Sequence, residues 1–198
     1  MSQIGTPLPG SYDYHLVALS IFVAISASYA ALDLGGRVTA ARGWVRSVWL
    51  AAGASAMGLG IWSMHFTGML AFKLPVPVTY HWPTVLLSLL AAMIASAVAL
   101  YVASRETMRR MQAITGGILM GLAIVGMHYI GMAAMRLSAT CQYRPLLVAV
   151  SIFVAIAASL AALMFTFDYR EDVRGTTLAK FASATVMGVG ISLMHYVG

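Results

Sequence analysis

The chain has 198 residues, 61% of them hydrophobic and only 9% charged, with a net charge of +6 and a mean hydropathy of +0.86. A soluble domain carries about 25% charged residues, so too little polar material is present to coat a water-exposed surface, and the chain reads as an integral membrane protein. The positive balance then concerns topology and anionic headgroups; no basic stripe with interleaved aromatics points to nucleic acid.

Six apolar stretches are long enough to cross a bilayer core, which takes about 20 residues as a helix. The first, 16–33, follows a polar start with no basic segment and no small-residue cleavage site, so no signal peptide is evident. The second, 47–72, carries Met57-Gly58-Leu59-Gly60-Ile61 and then Met64-His65-Phe66-Thr67-Gly68. The third, 84–104, has no such motif. The fourth, 113–135, repeats it as Met120-Gly121-Leu122-Ala123-Ile124 and Met127-His128-Tyr129-Ile130-Gly131. The fifth, 145–167, repeats the first helix instead: Ser20-Ile-Phe-Val-Ala-Ile25 recurs as Ser151-Ile-Phe-Val-Ala-Ile156. The sixth, 179–198, closes with Met187-Gly188-Val189-Gly190-Ile191 and Met194-His195-Tyr196-Val197-Gly198. None shows the alternation of outer-membrane strands.

The predicted fold is an all-α integral membrane bundle of three parallel two-helix repeats, about 14–75, 82–138 and 145–198, in one domain over 1–198. The third helix matches the first and fifth only weakly. Repeats used in one direction imply a pseudo-threefold axis along the membrane normal. Such an axis can bring three equivalent histidines together, although the pattern leaves open which helices line it.

Orientation follows from basic residues. Arg37, Arg42, Arg46, Arg105, Arg109, Arg110, Arg170, Arg174 and Lys180 fall in alternate loops, nine of the twelve Lys and Arg. That side is expected to be cytoplasmic, with the N-terminus on the outer, periplasmic side. Tyr12, Tyr14, Tyr80, Trp82 and Tyr143 then form an outer aromatic belt, and Trp44, Trp49, Tyr101 and Tyr169 an inner one. The three Met-His motifs lie toward the outer ends of their helices.

Histidine with methionine is a ligand set for copper, above all Cu(I). His65 and Met69 are four apart, as are His128 and Met132, so each pair shares a helix face. Met64, Met127 and Met194 directly precede the histidines and point about 100° away, so both residue types reach one ion only if it sits between helices. Phe66, Tyr129 and Tyr196 are placed to shield the site, and the tyrosine hydroxyls to orient a histidine or a bound ligand. The glycines suit close helix contact. Against this stands the bland reading, in which histidines bond neighbours, methionines fill gaps and duplication copies both. Ionisable groups within spans are nonetheless rare and usually functional.

His15 and His81 flank helix ends and read as interfacial, with lending a ligand as the alternative. Cys141, the one cysteine, excludes a disulfide framework within the chain and any Cys-based cluster. Asp33 and Asp168 are expected to pair with arginines at the inner helix ends. No Ser-His-Asp set, carboxylate pair or phosphate-cradling loop points to an enzyme.

At Met64-His65-Phe66-Thr67, Met127-His128-Tyr129-Ile130 and Met194-His195-Tyr196-Val197 the chain resembles the MHYT family of bacterial integral-membrane sensor domains, over essentially its whole length. The resemblance implies copper, as Cu(I) or Cu(II), held near the outer face by the motif methionines and histidines with Tyr129 and Tyr196. It implies a diatomic gas signal (oxygen, carbon monoxide or nitric oxide) or a redox one. It also implies a fused cytoplasmic output module, such as one for cyclic-di-GMP turnover, absent from this chain. Phe66 replaces the first tyrosine, and only Thr67 keeps the threonine. The chain stops where a methionine matching Met69 and Met132 would follow, which reads as a sensor truncated before a seventh helix. A homo-oligomer is compatible with the pattern. The competing readings are a copper or other cation transporter and a haem-binding membrane protein.

Overall fold

The protein is described from a computed structural model, which covers residues 8–105, 110–138, 141–168 and 177–198. Six helices follow one another: α1 (Tyr14–Ala40), α2 (Gly43–Ala71), α3 (Trp82–Ala103), α4 (Arg110–Ala133), α5 (Pro145–Asp168) and α6 (Thr177–Val197). Among the described residues the first five, rather than all six expected stretches, are long and apolar enough to cross a membrane; α6 carries Lys180 in its first turn and His195 in its last. Each helix packs against its neighbours in sequence, and α6 packs back against α1. The result is a closed ring.

Local chemistry sets the helix ends. Asp13 accepts a hydrogen bond from the His15 backbone N–H at 3.1 Å and caps α1. Pro83 lies in the first turn of α3 and Pro145 opens α5, where a missing N–H costs nothing. The expected break at 34–46 is much shorter. α1 runs on through Gly35 and Gly36 to Ala40, with Asp33 and Arg37 paired across one turn at 3.2 Å. Packing on α2 outweighs the weak helix propensity of glycine. The chain turns at Ala41 and Arg42, and Gly43 enters α2 at φ 58, a conformation that favours glycine.

At the opposite end, four two-residue strands tie helix pairs together. β1 (Ser11–Tyr12) pairs antiparallel with β2 (Phe72–Lys73), and β3 (Thr79–Tyr80) with β4 (Met135–Arg136). The Asp13 N–H donates to the Ala71 carbonyl, and the His81 N–H to the Ala134 carbonyl, each at 2.8 Å.

The third helix carries the repeat after all, in its buried stripe. Ser20, Ala24, Ser28 and Ala31 on α1 correspond to Ser88, Ala92, Ser96 and Ala99 on α3 and to Ser151, Ala155, Ser159 and Ala162 on α5. All twelve are buried. Small residues let helices approach closely. Backbone atoms of Met93, Ile156 and Ile25 press against Gly58, Gly121 and Gly188 of the motif helices. Large apolar residues such as Phe22, Leu86, Phe153 and Leu193 face outward, as lipid requires.

At the arginine end, Asp33 is bound by Arg37 and also by Lys180 of α6 at 3.3 Å, so one of its two partners is a lysine. Arg37 lies over Trp49, its Cζ 5.2 Å from the ring centroid. Arg109, Tyr169, Arg170 and Arg174, and the side chains of Arg110 and Asp168, lie outside the described residues.

A candidate metal centre at the axis

His65, His128 and His195 converge where α2, α4 and α6 meet. Their Nδ1 atoms form a near-equilateral triangle, with sides of 3.0 Å (His65–His195), 3.3 Å (His65–His128) and 3.3 Å (His128–His195). All three side chains are buried. The motif-bearing helices therefore line the axis at this end, and the common depth expected from sequence holds.

The triangle is poorly satisfied by hydrogen bonds alone. A neutral imidazole nitrogen is either a donor or an acceptor, so no tautomer assignment gives every Nδ1 a partner in each direction. With all three protons on Nε2, three lone pairs face one another. A cation at the centre satisfies all three together. The point equidistant from the nitrogens lies about 1.9 Å from each, close to the 2.0–2.1 Å typical of zinc–imidazole bonds. Among the described residues this is the one cluster of three or more His, Cys, Asp or Glu arranged to hold a metal ion. The Nε2 atoms of His65 and His128 are buried without a hydrogen-bond partner.

Met64, Met127 and Met194 are buried to 1% exposure or less. One turn beyond the histidines, Met69 is buried and Met132 half-buried. His15 and His81 are exposed and stand apart from the triad; His81 Nδ1 bonds the Thr84 hydroxyl at 2.8 Å.

Each histidine meets the aromatic residue that follows it edge to face: His65 with Phe66 at 5.0 Å between centroids, His128 with Tyr129 at 4.8 Å, His195 with Tyr196 at 4.9 Å. The tyrosine hydroxyls pair with serines of the next helix, Tyr129 with Ser151 at 3.0 Å and Tyr196 with Ser20 at 2.7 Å. In the repeat with Phe66, Trp62 fills the gap, its indole N–H donating to Ser88 at 3.2 Å. Each of these serines also donates to the carbonyl three residues back, at Val17, Val85 or Val148.

A second aromatic tier stacks on the first. Tyr12 stacks edge to face on Tyr196 at 5.9 Å, Tyr80 on Phe66 at 5.8 Å and Tyr143 on Tyr129 at 5.7 Å. Sequence placed these three tyrosines in an interfacial belt; the structure adds that each stacks on a motif aromatic. Burial pushes their phenols above the ordinary value, so they stay neutral. Their equivalent spacing from Ser20, Ser88 and Ser151 was the signal that could have found them.

A family model for the bacterial signalling protein N-terminal repeat, MHYT, matches the chain twice, over residues 58–116 and 121–179. The chain belongs to the MHYT family. The family repeat runs from a motif helix into the helix after it, the same pairing that the serine contacts show. Among similar proteins is the bifunctional diguanylate cyclase/cyclic di-GMP phosphodiesterase MucR of Pseudomonas aeruginosa, 48% identical over 191 residues, which are 96% of this chain and 28% of that protein. The signaling protein YkoW of Bacillus subtilis is 40% identical over 190 residues, 95% of this chain and 24% of YkoW. The cyclic di-GMP phosphodiesterase NbdA of Pseudomonas aeruginosa is 38% identical over 190 residues, with the same two shares. The chain thus spans about a quarter of the length of these relatives. No solved structure matches it. Apolar helices and family together make this a multi-pass membrane domain of a bacterial signalling protein.

Proposed function

We propose that the chain is a copper-dependent sensor domain, which reports a diatomic gas or a redox change to a cytoplasmic cyclic-di-GMP output module. The observation that carries this reading is the Nδ1 triangle: three buried imidazoles with a metal-sized gap at their centre. His65, His128 and His195 are its nitrogen ligands. Met64, Met69, Met127, Met132 and Met194 are the thioethers available on the same helices, and thioethers favour Cu(I) over zinc. Copper bound by three nitrogens would supply a coordination position at which a small neutral ligand competes with a thioether. The protein's part is to fix the imidazoles, exclude water through both aromatic tiers, and link ligand occupancy to the packing of α2, α4 and α6.

The arginine end is cytoplasmic in this reading, which puts the triad toward the periplasm. The named activities of MucR and NbdA support cyclic-di-GMP turnover as the output. A porphyrin does not fit between rings whose nitrogens are 3.0–3.3 Å apart, which disfavours the haem reading. The test is metal analysis of the purified chain. We expect about one copper per chain, a strong loss in His65→Ala, His128→Ala or His195→Ala, and retention in His15→Ala and His81→Ala. Unchanged copper in the triple His→Ala variant would remove the assignment.

A further inference from the structure

The glycine that ends each motif has a different neighbour from the glycines that begin it. Gly58, Gly121 and Gly188 admit backbone from an adjacent helix, whereas Gly68, Gly131 and Gly198 lie against imidazole rings. A Cβ on Gly131 would fall on the Nε2 edge of His65, 2.7 Å from Cδ2 and 3.3 Å from Cε1. One on Gly68 would fall on the same edge of His195, 2.6 Å from Cδ2 and 3.3 Å from Cε1. One on Gly198 would sit 3.1 Å from Nε2 of His128. The relation is cyclic. α4 faces the histidine of α2, α2 that of α6, and α6 that of α4.

We propose that each closing glycine is a positioning residue for the histidine of another repeat, so that Gly131 seats His65, Gly68 seats His195 and Gly198 seats His128. The seat fixes the Nε2 edge outward against backbone and leaves Nδ1 turned to the axis. No hydrogen bond holds the Nε2 atoms of His65 and His128, so shape alone retains those edges. A methyl group at the seat drives the ring toward the axis and breaks the triangle. Imidazole placement of this kind tunes metal affinity about 10–100-fold. The consequence for metal rests on the proposed copper reading; the seat itself does not.

The test uses the whole chain in detergent, with Gly126→Ala as control, because a Cβ on Gly126 meets nothing within 4 Å. Copper(I) titration should show a loss of about 10–100-fold for Gly131→Ala and wild-type affinity for Gly126→Ala. Thermal unfolding of the metal-free protein is followed for Gly131→Ala, His65→Ala and the double variant. The Gly131→Ala loss should largely vanish once His65 is truncated, since contacting residues are non-additive. Should Gly131→Ala not fold, recovery of folded protein in the double variant supports the seat, and no recovery overturns it. Wild-type copper affinity in Gly131→Ala, or losses that simply add, would also overturn it. A wild-type chain that binds no copper defeats the metal reading alone, and the unfolding cycle then decides the seat.

Discussion

Ser20 on the first helix and Tyr196 on the last are 176 residues apart in sequence, yet their hydroxyl oxygens lie 2.7 Å apart. This bond closes the helix ring at the level of the histidines. Ser20 also donates to the Val17 carbonyl, so the pair is ordered as Tyr196 donating to Ser20 and Ser20 donating to Val17.

That order predicts an asymmetry. Tyr196→Phe leaves Ser20 bonded to Val17 and recreates the ring present at Phe66, so it should cost only about 0.6 kcal/mol, the average for an interhelical hydrogen bond in a membrane. Ser20→Ala leaves the Tyr196 hydroxyl without that acceptor, and should cost about 1–3 kcal/mol. At roughly 2–4 °C per kcal/mol for a chain of this size, thermal unfolding in detergent separates the two. Equal losses would contradict the donor order.

Asp13 caps α1 and binds Lys73 across the first strand pair at 2.9 Å. The Lys73 hydrogen bond holds its carboxyl below the ordinary value of 3.8. A carboxyl lowered on folding stabilises the fold above its unfolded pKa, and that contribution is lost as pH falls through the folded value. Acidification below pH 3.8 should therefore lower the protection, relative to the intrinsic exchange rate, of the Asp13 amide, whose N–H bonds the Ala71 carbonyl. Asp13→Asn still caps a helix but has no proton to take up, so the acid-dependent loss of protection should disappear. An acid response that persists in Asp13→Asn would assign it elsewhere.

The helices and the histidine triad were legible because both leave identical residues at fixed spacing. Three Met-His pairs at one position on alternate helices imply equivalent imidazoles at one depth, but only the packing of α2, α4 and α6 shows that they meet at the axis. The repeat in α3 was hidden because lipid-facing positions diverge freely. Comparing contiguous runs sets Ser-Leu-Leu-Ala-Ala-Met against Ser-Ile-Phe-Val-Ala-Ile, whereas the buried stripe Ser88, Ala92, Ser96 and Ala99 is identical at all four positions. The extension of α1 past Gly35 and Gly36 was hidden too, because glycine reads as a breaker until packing on α2 is known. The stacking of Tyr12, Tyr80 and Tyr143 on the motif rings was hidden because only the strand pairs and helix starts bring them there.

Topology has a direct reporter in Cys141, the one cysteine, which is exposed just before α5, at the triad end of the bundle. If the arginine end is cytoplasmic, a membrane-impermeant thiol reagent should label Cys141 in intact cells. Cys141→Ser should abolish the signal. Labelling that needs a permeabilised membrane would invert the orientation and place the triad on the cytoplasmic side.

Signalling makes the most demanding prediction. His65, His128 and His195 come from three helices, so under the proposed function a change in their ligand would be felt at the contacts of α2, α4 and α6. Helix shifts of about 1–2 Å are an established way to carry such a change. The ligand must interact differently with the two packing states, or it cannot bias them. Joined to a diguanylate cyclase module and assayed in membranes, the chain should change output about 5-fold or more when oxygen, carbon monoxide or nitric oxide is added, the lower end of typical coupling between sites. His128→Ala removes one corner of the triangle and should abolish the response while leaving basal output in place. A gas response of full size in His128→Ala would mean that the triad is not the receptor.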